Sequence, residues 1–489
     1  MSAAALAHPR LRAWPVSRRD TLQLALWNAA EIAEATGGVA SGDFQCAGVE
    51  MDSRDIRPGD LFVALQGEAM DGHRFIDKAF AAGAAAAIVD RPIDWPHVLV
   101  KDTTAALHAL AAAARRRSGA KRIGVTGSVG KTGVKEAIFA ALDRTSRGQA
   151  HRSVRSYNNH VGVPLSLARM NARAKFGVFE MGMNHAGEIA PLADHIRPDA
   201  AVITTLAPAH IENLGSMEAI ADEKAQIFTG LKPGGAAIIP ADNPYYERLR
   251  AHAEAAGAEV FSFGRSAHAR VRLLDAIPAA NGGASLVTAQ IDDTRLCYSV
   301  AEPGEHWIDN SLAVMATVYA VGGDLGAAGI ALGEMGGLKG RGARHAISAA
   351  GGRATLIDES YNANPASMRA TLAQLAQTPA SRRIAVLGAM GELGEFSTRF
   401  HEQLLEPIEA GQVDFAVLVG EAMEPLVRKM GTAHANGLGK APPFAHCANP
   451  AEAIAALEEY GLNAGDAILV KGSNFVGLGR LVDHFVSRG

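Results

Sequence analysis

The stretch GVTGSVGKTGVKEA, Gly124 to Ala137, decides how this chain is read. It follows the basic pair Lys121-Arg122, and Arg122 to Thr126 has the make-up of a short buried strand. Gly127, Ser128, Val129, Gly130, Lys131 and Thr132 come next, and Val134 to Leu142 carries apolar residues at helical spacing. Strand, glycine turn, Lys-Thr and helix is the layout of a loop that cradles phosphate. Glycines let backbone N–H groups converge on the anion, and the helix N-terminus adds partial positive charge. Lys131 can reach terminal phosphates, and the Thr132 hydroxyl can ligate Mg²⁺. Val125 stands where the first glycine of the full motif belongs, so only the shorter Gly-x-x-Gly-Lys-Thr is present, and a plain strand–helix turn stays open at this point.

Outward from the loop, the chain of 489 residues has room for about three domains. Its composition, 48% apolar and 20% charged, is that of a soluble globular protein, and the net charge of −4 argues against nucleic acid as a partner. The cysteines, Cys46, Cys297 and Cys447, are scattered and odd in number, which points to a reducing, cytoplasmic setting rather than a disulfide framework or metal site. No apolar run is long enough for a membrane span. Residues 1–20 hold several arginines and two prolines without a continuous apolar core, and read as a loose leader.

N-terminal to the loop, Thr21–Thr36 reads as an amphipathic helix closed by Gly37-Gly38. Leu61–Leu65 and Ala86–Val89 read as strands, with a helix over Arg74–Ala82 and a long alanine-rich helix over Thr103–Arg117. Asp52, Ser53 and Arg54 precede the first strand, and Gln66 to His73 form a polar loop after it, which by itself could be a solvated turn. A first domain boundary is placed near 117. C-terminal to the loop, strands are read at 176–181, 200–205 and 235–239, alternating with helices as in a doubly wound sheet, with further strands at 258–263 and 295–300. Loops at the C-terminal ends of such strands carry function. Glu180, His210 and Lys224 meet that expectation. Taken singly, Glu180 could be an edge carboxylate and His210 a satisfied loop histidine; their order after successive strands favours a metal and phosphate site.

A long apolar helix is read within 303–322, and the glycine-rich Gly336–Gly342 is taken as a linker with a second boundary near 340. The last part alternates again, with strands at 354–357, 383–387, 414–419 and 466–470 and helices at 366–377, 398–410, 452–460 and 477–487. Its loops hold DESYNANP (358–365), GAMGELG (388–394) and Lys471-Gly472-Ser473. The fold class is thus α/β, divided as a leader (1–20) and domains over 21–117, 118–340 and 341–489.

The strings TGSVGKTGVKE, SYNNHVGVPL, FEMGMNHAGEI, LAPAHIENLGS, DEKAQIF, GEHWIDN, DESYNANPASM and LGAMGELG, in this order, resemble the Mur ligases over nearly the whole chain. YNANP and GAMGELG resemble the type that adds D-alanyl-D-alanine to UDP-N-acetylmuramoyl-tripeptide in peptidoglycan synthesis, and so serves cell wall biogenesis, cell shape and cell division. The resemblance implies a small N-terminal α/β UDP-sugar domain, a central doubly wound ATPase domain of the P-loop type and a C-terminal Rossmann-like α/β domain. It implies an ATP- and Mg²⁺-dependent ligase working through an acyl phosphate, cytoplasmic and expected to be a monomer. Two alternatives are a folylpolyglutamate synthase-like ligase and, in another class, a P-loop regulatory NTPase.

Roles implied by the resemblance are as follows. Gly127 to Gly133, His306, Asn310, Arg344, Asp358 and Tyr361 would hold ATP. Thr132, Glu180, His210 and Lys224 would hold Mg²⁺, with Lys224 as N6-carboxylysine. Lys131, Glu180, His210, Lys224 and Arg344 form the catalytic set. Arg344 is preferred to Arg341 because thirteen residues intervene between it and Asp358, as the family pattern has it. Ser53, Arg54, Gly67, Asp71, His73, Asn158 and Asn159 fall on the UDP-sugar side, and Asn362, Asn364, Glu392, Lys471 and Ser473 on the side of the incoming amine. The chain departs from the pattern at Val129, at Gly133 (often Thr) and at Trp307 (often Asn), which puts a polar adenine contact at 307 in doubt.

Overall fold

The computed structural model describes residues 25–67, 70–279, 283–435 and 441–488. The chain divides into two compact units, 1–106 and 107–489. In the first unit five short strands run in the order Val39–Ala40, His97–Leu99, Ala86–Val89, Asp60–Val63, Gly48–Glu50. The last four are parallel and the first is antiparallel. Phe62, Ile76, Ala79 and Val89 fill the core beneath them. The expected helix over 21–36 is shorter: it spans Ala29–Thr36. Asn28 caps it, its side chain accepting from Glu31 N while the Glu31 carboxylate accepts from Asn28 N. Trp27–Asn28 has left the helix to pair with Gln45–Cys46. The leader and residues 21–24 lie outside the described residues.

The second unit holds two larger sheets. One has nine strands, in the order Thr294–Val300, Ser285–Ile291, Val271–Pro278, Glu259–Gly264, Ala236–Pro240, Ala200–Ile203, Lys121–Thr126, Phe176–Glu180, Ala150–Arg152. Pairing is parallel from Ala150–Arg152 through Val271–Pro278, and the last two strands close antiparallel. Three of these strands escape the sequence reading: the short edge strand Ala150–Arg152 and the pair Val271–Pro278 and Ser285–Ile291. The pair is one-sided, with Ile277 and Leu286 exposed, so it lacks the continuous apolar run of the buried strands. Lys121–Thr126 lies between Phe176–Glu180 and Ala200–Ile203, where the strand order reverses, the place where such sheets bind ligands.

The helix after the loop runs Lys131–Ser146 and lays Val134, Ala137, Ile138, Ala141 and Leu142 on the sheet, together with Ile308, Leu312 and Met315 of the helix Glu305–Ala320. Each fully buried Val, Ile, Leu or Met of this set contributes about 1.5–3 kcal/mol, so the loop rests on a rigid base. The other sheet has six strands, Ala343–Ala349, Gly352–Glu359, Ala467–Lys471, Arg383–Gly388, Phe415–Val419, Phe444–Cys447, parallel except for the first hairpin. The 336–342 stretch is not a slack linker. Gly340 and Gly342 have φ of +74° and +93°, and Gly340 N donates to Asp358 Oδ2 at 2.7 Å, so this stretch is a pinned turn leading into the hairpin. Among the described residues no helix is long and apolar enough to cross a membrane.

Candidate active site

The loop takes its shape from contacts that only glycine permits. A Cβ on Gly127, whose φ is +147°, would fall 2.0 Å from Thr204 Oγ1. Ser128 N donates to Thr205 O at 2.8 Å and Ser128 Oγ to Ala207 O at 2.9 Å, which ties the loop to the neighbouring strand end. Lys131 Nζ donates to Gly127 O at 2.7 Å, and burial pulls its pKa down. Thr132 Oγ1 donates to Glu180 Oε2 at 2.9 Å, and Asn158 Nδ2 donates to Glu180 Oε1 at 2.8 Å. Glu180 is fully buried, with Lys135 Nζ 3.8 Å from its carboxylate. Burial of this polar group is offset by the donors and the lysine that meet it.

These groups open on a cavity of about 260 Å³. Ser128, Val129, Gly130, Lys131, Gly133, Asn158, Glu180, His210, His306 and Asn310 line it from the nine-stranded sheet's side. Tyr361, Asn362, Asn364 and Lys471 line it from the six-stranded sheet's side. Lys471 Nζ donates to Asn362 O at 3.0 Å and lies 3.4 Å from Glu359 Oε2, and burial lowers its pKa. His306 is held neutral: burial and the nearby Lys471 push its pKa down to about 4. Asn364 caps the helix Pro365–Gln377, accepting from Ser367 N at 2.9 Å. His210, in a left-handed conformation at φ +60°, pairs through Nδ1 with Glu392, itself at φ +59°. The two sheets thus meet through a residue that each holds in an uncommon backbone state.

Several expectations need correction. Arg344 does not line the cavity; it sits on the strand Ala343–Ala349, its Nη2 3.4 Å from Thr378 Oγ1. Arg341 lines it instead, its guanidinium 4.1 Å from the centre of the Tyr361 ring and its Nη2 3.3 Å from Ser156 Oγ. The 336–342 turn brings Arg341 to the cavity wall before the strand begins, whereas Arg344, chosen by counting back from Asp358, falls on the strand. Asp358 is buried and does not line the cavity either. Its Oδ1 accepts from Ser360 N and Oγ, and its Oδ2 from Gly340 N, so it holds the turn that carries Arg341. Asn159 accepts from Gly162 N and caps a turn rather than facing the cavity. Ser473 lies behind the wall, its Oγ accepting from Gly391 N at 2.9 Å. Gly127, Thr132, Lys224 and Glu392 also sit beside the cavity rather than on its lining.

Lys224, on the helix Met217–Ala225, is 1% exposed. Burial, and then the charge of Lys131, lower its pKa well below that of a free lysine. In the first unit, Ser53 and Arg54 follow the strand Gly48–Glu50, with Arg54 paired to Asp52 at 2.6 Å. Gly67 N donates to Met70 O; Asp71 caps the turn at His73 and pairs with His73 Nδ1 at 2.7 Å and with Arg91. The backbone donation from His73 and the Arg91 guanidinium hold the Asp71 carboxyl below the usual range. Glu68, in the same loop, lies outside the described residues. Sequence reasoning missed Ser156, Asn184, Arg341, Glu359 and Ser367 on the cavity wall; of these, Arg341 was in view as the rejected partner of Arg344.

A doubly wound sheet with a phosphate loop at its switch point, joined to a second α/β sheet across a cation-lined cavity, defines a nucleotide-dependent enzyme of the ligase kind. Three family descriptions match the chain in series: "Mur ligase family, catalytic domain" over 45–119, "Mur ligase middle domain" over 125–318 and "Mur ligase, glutamate ligase domain" over 343–474. The UDP-N-acetylmuramoyl-tripeptide–D-alanyl-D-alanine ligase of Escherichia coli K12 is 37% identical over 79% of this chain and 84% of its own. The crystal structure of MurF from Acinetobacter baumannii superposes with a TM-score of 0.79 at 28% identity, covering 94% of this chain and 99% of that one. That of MurF from Thermotoga maritima in complex with ADP gives 0.72 at 25%, covering 90% and 97%. The chain belongs to the Mur ligase family, and its fold is the three-domain α/β arrangement of that family.

Proposed function

We propose that this protein is an ATP-dependent amide ligase that joins D-alanyl-D-alanine to the terminal carboxylate of UDP-N-acetylmuramoyl-tripeptide, releasing ADP and phosphate. The observation that carries the reading is the cavity where Lys131, Arg341 and Lys471 converge beside the Thr132–Glu180 pair. A carboxylate is a poor electrophile. Transfer of the γ-phosphoryl group to it gives an acyl phosphate, whose carbonyl carbon the amine attacks; a tetrahedral intermediate then expels phosphate and the amine loses its proton. Such chemistry depends on positioning and on neutralising charge. The backbone N–H groups of 127–130 and Lys131 are suited to the β- and γ-phosphates. Arg341 takes the role expected of Arg344, since a planar guanidinium in the cavity is suited to the equatorial oxygens of the transferred group.

The side chains fit a Mg²⁺ ion: a hydroxyl and a carboxylate lie 2.9 Å apart, and oxygen donors are what this ion prefers. Thr132 and Glu180 would hold it, and it would supply charge neutralisation at the phosphates. His210, which lines the cavity and is paired with Glu392, would help hold a second Mg²⁺. Lys224 fits carbamylation. Burial disfavours the ammonium form of this lysine, and its free-amine form can add CO₂ through the nitrogen lone pair, forming an N–C bond and releasing a proton. The product is an anion beside Lys131, which replaces a cation–cation repulsion by an attraction.

The expected boundaries near 20, 117 and 340 belong to the same reading, although the compact units divide at Ala106, inside the helix Thr103–Arg117. So do the first unit's Ser53, Arg54, Gly67, Asp71 and His73 as UDP contacts, a cytoplasmic location and a monomeric state. The decisive experiment is phosphate release from ATP. It should require both UDP-N-acetylmuramoyl-tripeptide and D-Ala-D-Ala. Stimulation by folate and glutamate instead would move the protein to the folylpolyglutamate type, and substrate-independent hydrolysis to a regulatory NTPase.

A further inference from the structure

Two departures from the family pattern, Gly133 and Trp307, turn out to be one feature. The helix Lys131–Ser146 packs against the helix Glu305–Ala320 with their N-terminal turns together. A Cβ at Gly130 would come 3.0 Å from Asn310 Oδ1, and a Cβ at Gly133 would come 2.9 Å from Trp307 Cη2 and 3.0 Å from Cζ2. Two glycines three apart, the N-cap Gly130 and Gly133 of the first turn, therefore receive side chains three apart on the other helix. Gly133 has ordinary helical backbone, so the indole alone excludes a side chain there.

The same indole lines the cavity that holds the phosphate loop. Short side chains, Ser367, Ala370 and Thr371 of the helix Pro365–Gln377, line that cavity too. Next to Trp307 stands His306, uncharged at neutral pH. A flat, neutral aromatic wall, small side chains and the Asn310 amide set against Gly130 of the loop make a slot suited to a planar base and ill suited to a phosphate.

We propose that Gly133 and Trp307 form a matched pair that makes Trp307 a stacking platform for the nucleotide's base, in place of a polar readout at that position. This rests on the nucleotide reading above. The ring supplies binding that every base face can accept, since base–aromatic stacking is tolerant of sequence and edge chemistry. Gly133 keeps the ring in place by having nothing to displace it.

The test is calorimetric titration of the full chain with ADP and, separately, with inorganic tripolyphosphate, which has no base. Trp307→Ala should weaken ADP roughly tenfold to a hundredfold and leave tripolyphosphate unchanged. Trp307→Phe should retain most of the ADP affinity. Gly133→Thr should weaken ADP in the native background, yet change little in the Trp307→Ala background. Intrinsic tryptophan fluorescence of the native chain should respond to ADP and not to tripolyphosphate, with the response gone in Trp307→Phe. ADP binding unaltered in Trp307→Ala, equal losses for both ligands, or additive effects of the two substitutions would each overturn the pairing. A native chain that binds neither ligand overturns the nucleotide reading, and the platform with it.

Discussion

Replacing Arg341 by alanine separates the cavity's geometry from the residue-count argument. In the structure Arg341 makes one cation–π contact with Tyr361 and one long hydrogen bond with Ser156. An exposed contact of the first kind contributes about 0.5–1 kcal/mol, and the second about 0.5 kcal/mol. Arg341→Ala should therefore cost roughly 1–1.5 kcal/mol of stability, too little to unfold the chain. Its effect on turnover is of another size. A fixed donor aimed at developing charge in a site shielded from water is worth about 10²–10³ in kcat. The expected result is a hundredfold to thousandfold drop in kcat, with ADP affinity changed far less. Arg344→Ala, which removes a 3.4 Å contact outside the cavity, should stay within about threefold of the parent. The assay is phosphate release at saturating ATP, D-Ala-D-Ala and UDP-N-acetylmuramoyl-tripeptide, with a thermal melt on each variant. Arg341→Lys adds a control, because it keeps the charge and loses the planar fork. A large loss in Arg344→Ala beside a mild one in Arg341→Ala would refute the assignment.

Lys224→Ala should lose nearly all turnover and recover part of it with short-chain carboxylic acids, measured as phosphate release; no rescue in a folded variant would favour a cationic lysine. Burial raises the Glu302 carboxyl to about 7, with Arg344 opposing the shift. The folded chain thus keeps a proton that the unfolded chain sheds near pH 4.5, so stability falls as pH rises from about 4.5 through about 7, by roughly 3 kcal/mol at most. Glu302→Gln should flatten that slope in urea melts taken from pH 5 to 8. Asp466, 1% exposed, accepts from Arg382 at 2.6 and 3.0 Å and from Asn463 N at 2.7 Å. Asp466→Ala should cost about 2–4 kcal/mol, read as a lower urea midpoint with kcat largely kept.

The buried strands and the loop were legible because their physics is local. Apolar runs such as Ile123–Val125 and Phe176–Phe179 have no place but a covered sheet, and Gly127 and Gly130 announce a backbone that side chains forbid. What sequence reasoning lost depends on direction in space. Arg341 and Arg344 differ by three positions, but Arg341 sits in the turn between Gly340 and Gly342, and register then pairs Arg344 with Ile357 on the hairpin. Asp358 looked like a nucleotide contact because it opens a polar string, whereas its oxygens are consumed by Gly340 and Ser360. Gly133 and Trp307 are far apart in the chain, so each read as an isolated oddity, and only the helix crossing makes them complementary.

The charges of the site supply the last step. Lys224 and Lys471 are buried and Lys131 is half-buried on the cavity wall, and in each the leading effect is desolvation pulling the pKa down. Burying an ammonium group is costly unless an anion meets it, and three such groups beside an arginine would be a liability in a cavity meant for neutral ligands. Lys471 has Glu359 at 3.4 Å, and Lys131 feels Glu180. Among the described residues Glu223 is the attractive influence on Lys224, while Lys131 repels it. Glu223 in turn is engaged by Gly187 N and Ile189 N. Lys224 is therefore the buried amine with most to gain from becoming an anion, which sets it apart from the other two on physical grounds. It follows that removing the Lys131 charge should relax Lys224. In Lys131→Met the drive for CO₂ uptake at Lys224 should weaken, readable as a smaller ¹³C-carbamate signal in protein equilibrated with labelled bicarbonate. An undiminished signal would mean that burial alone, without the neighbouring cation, dictates the chemistry of Lys224.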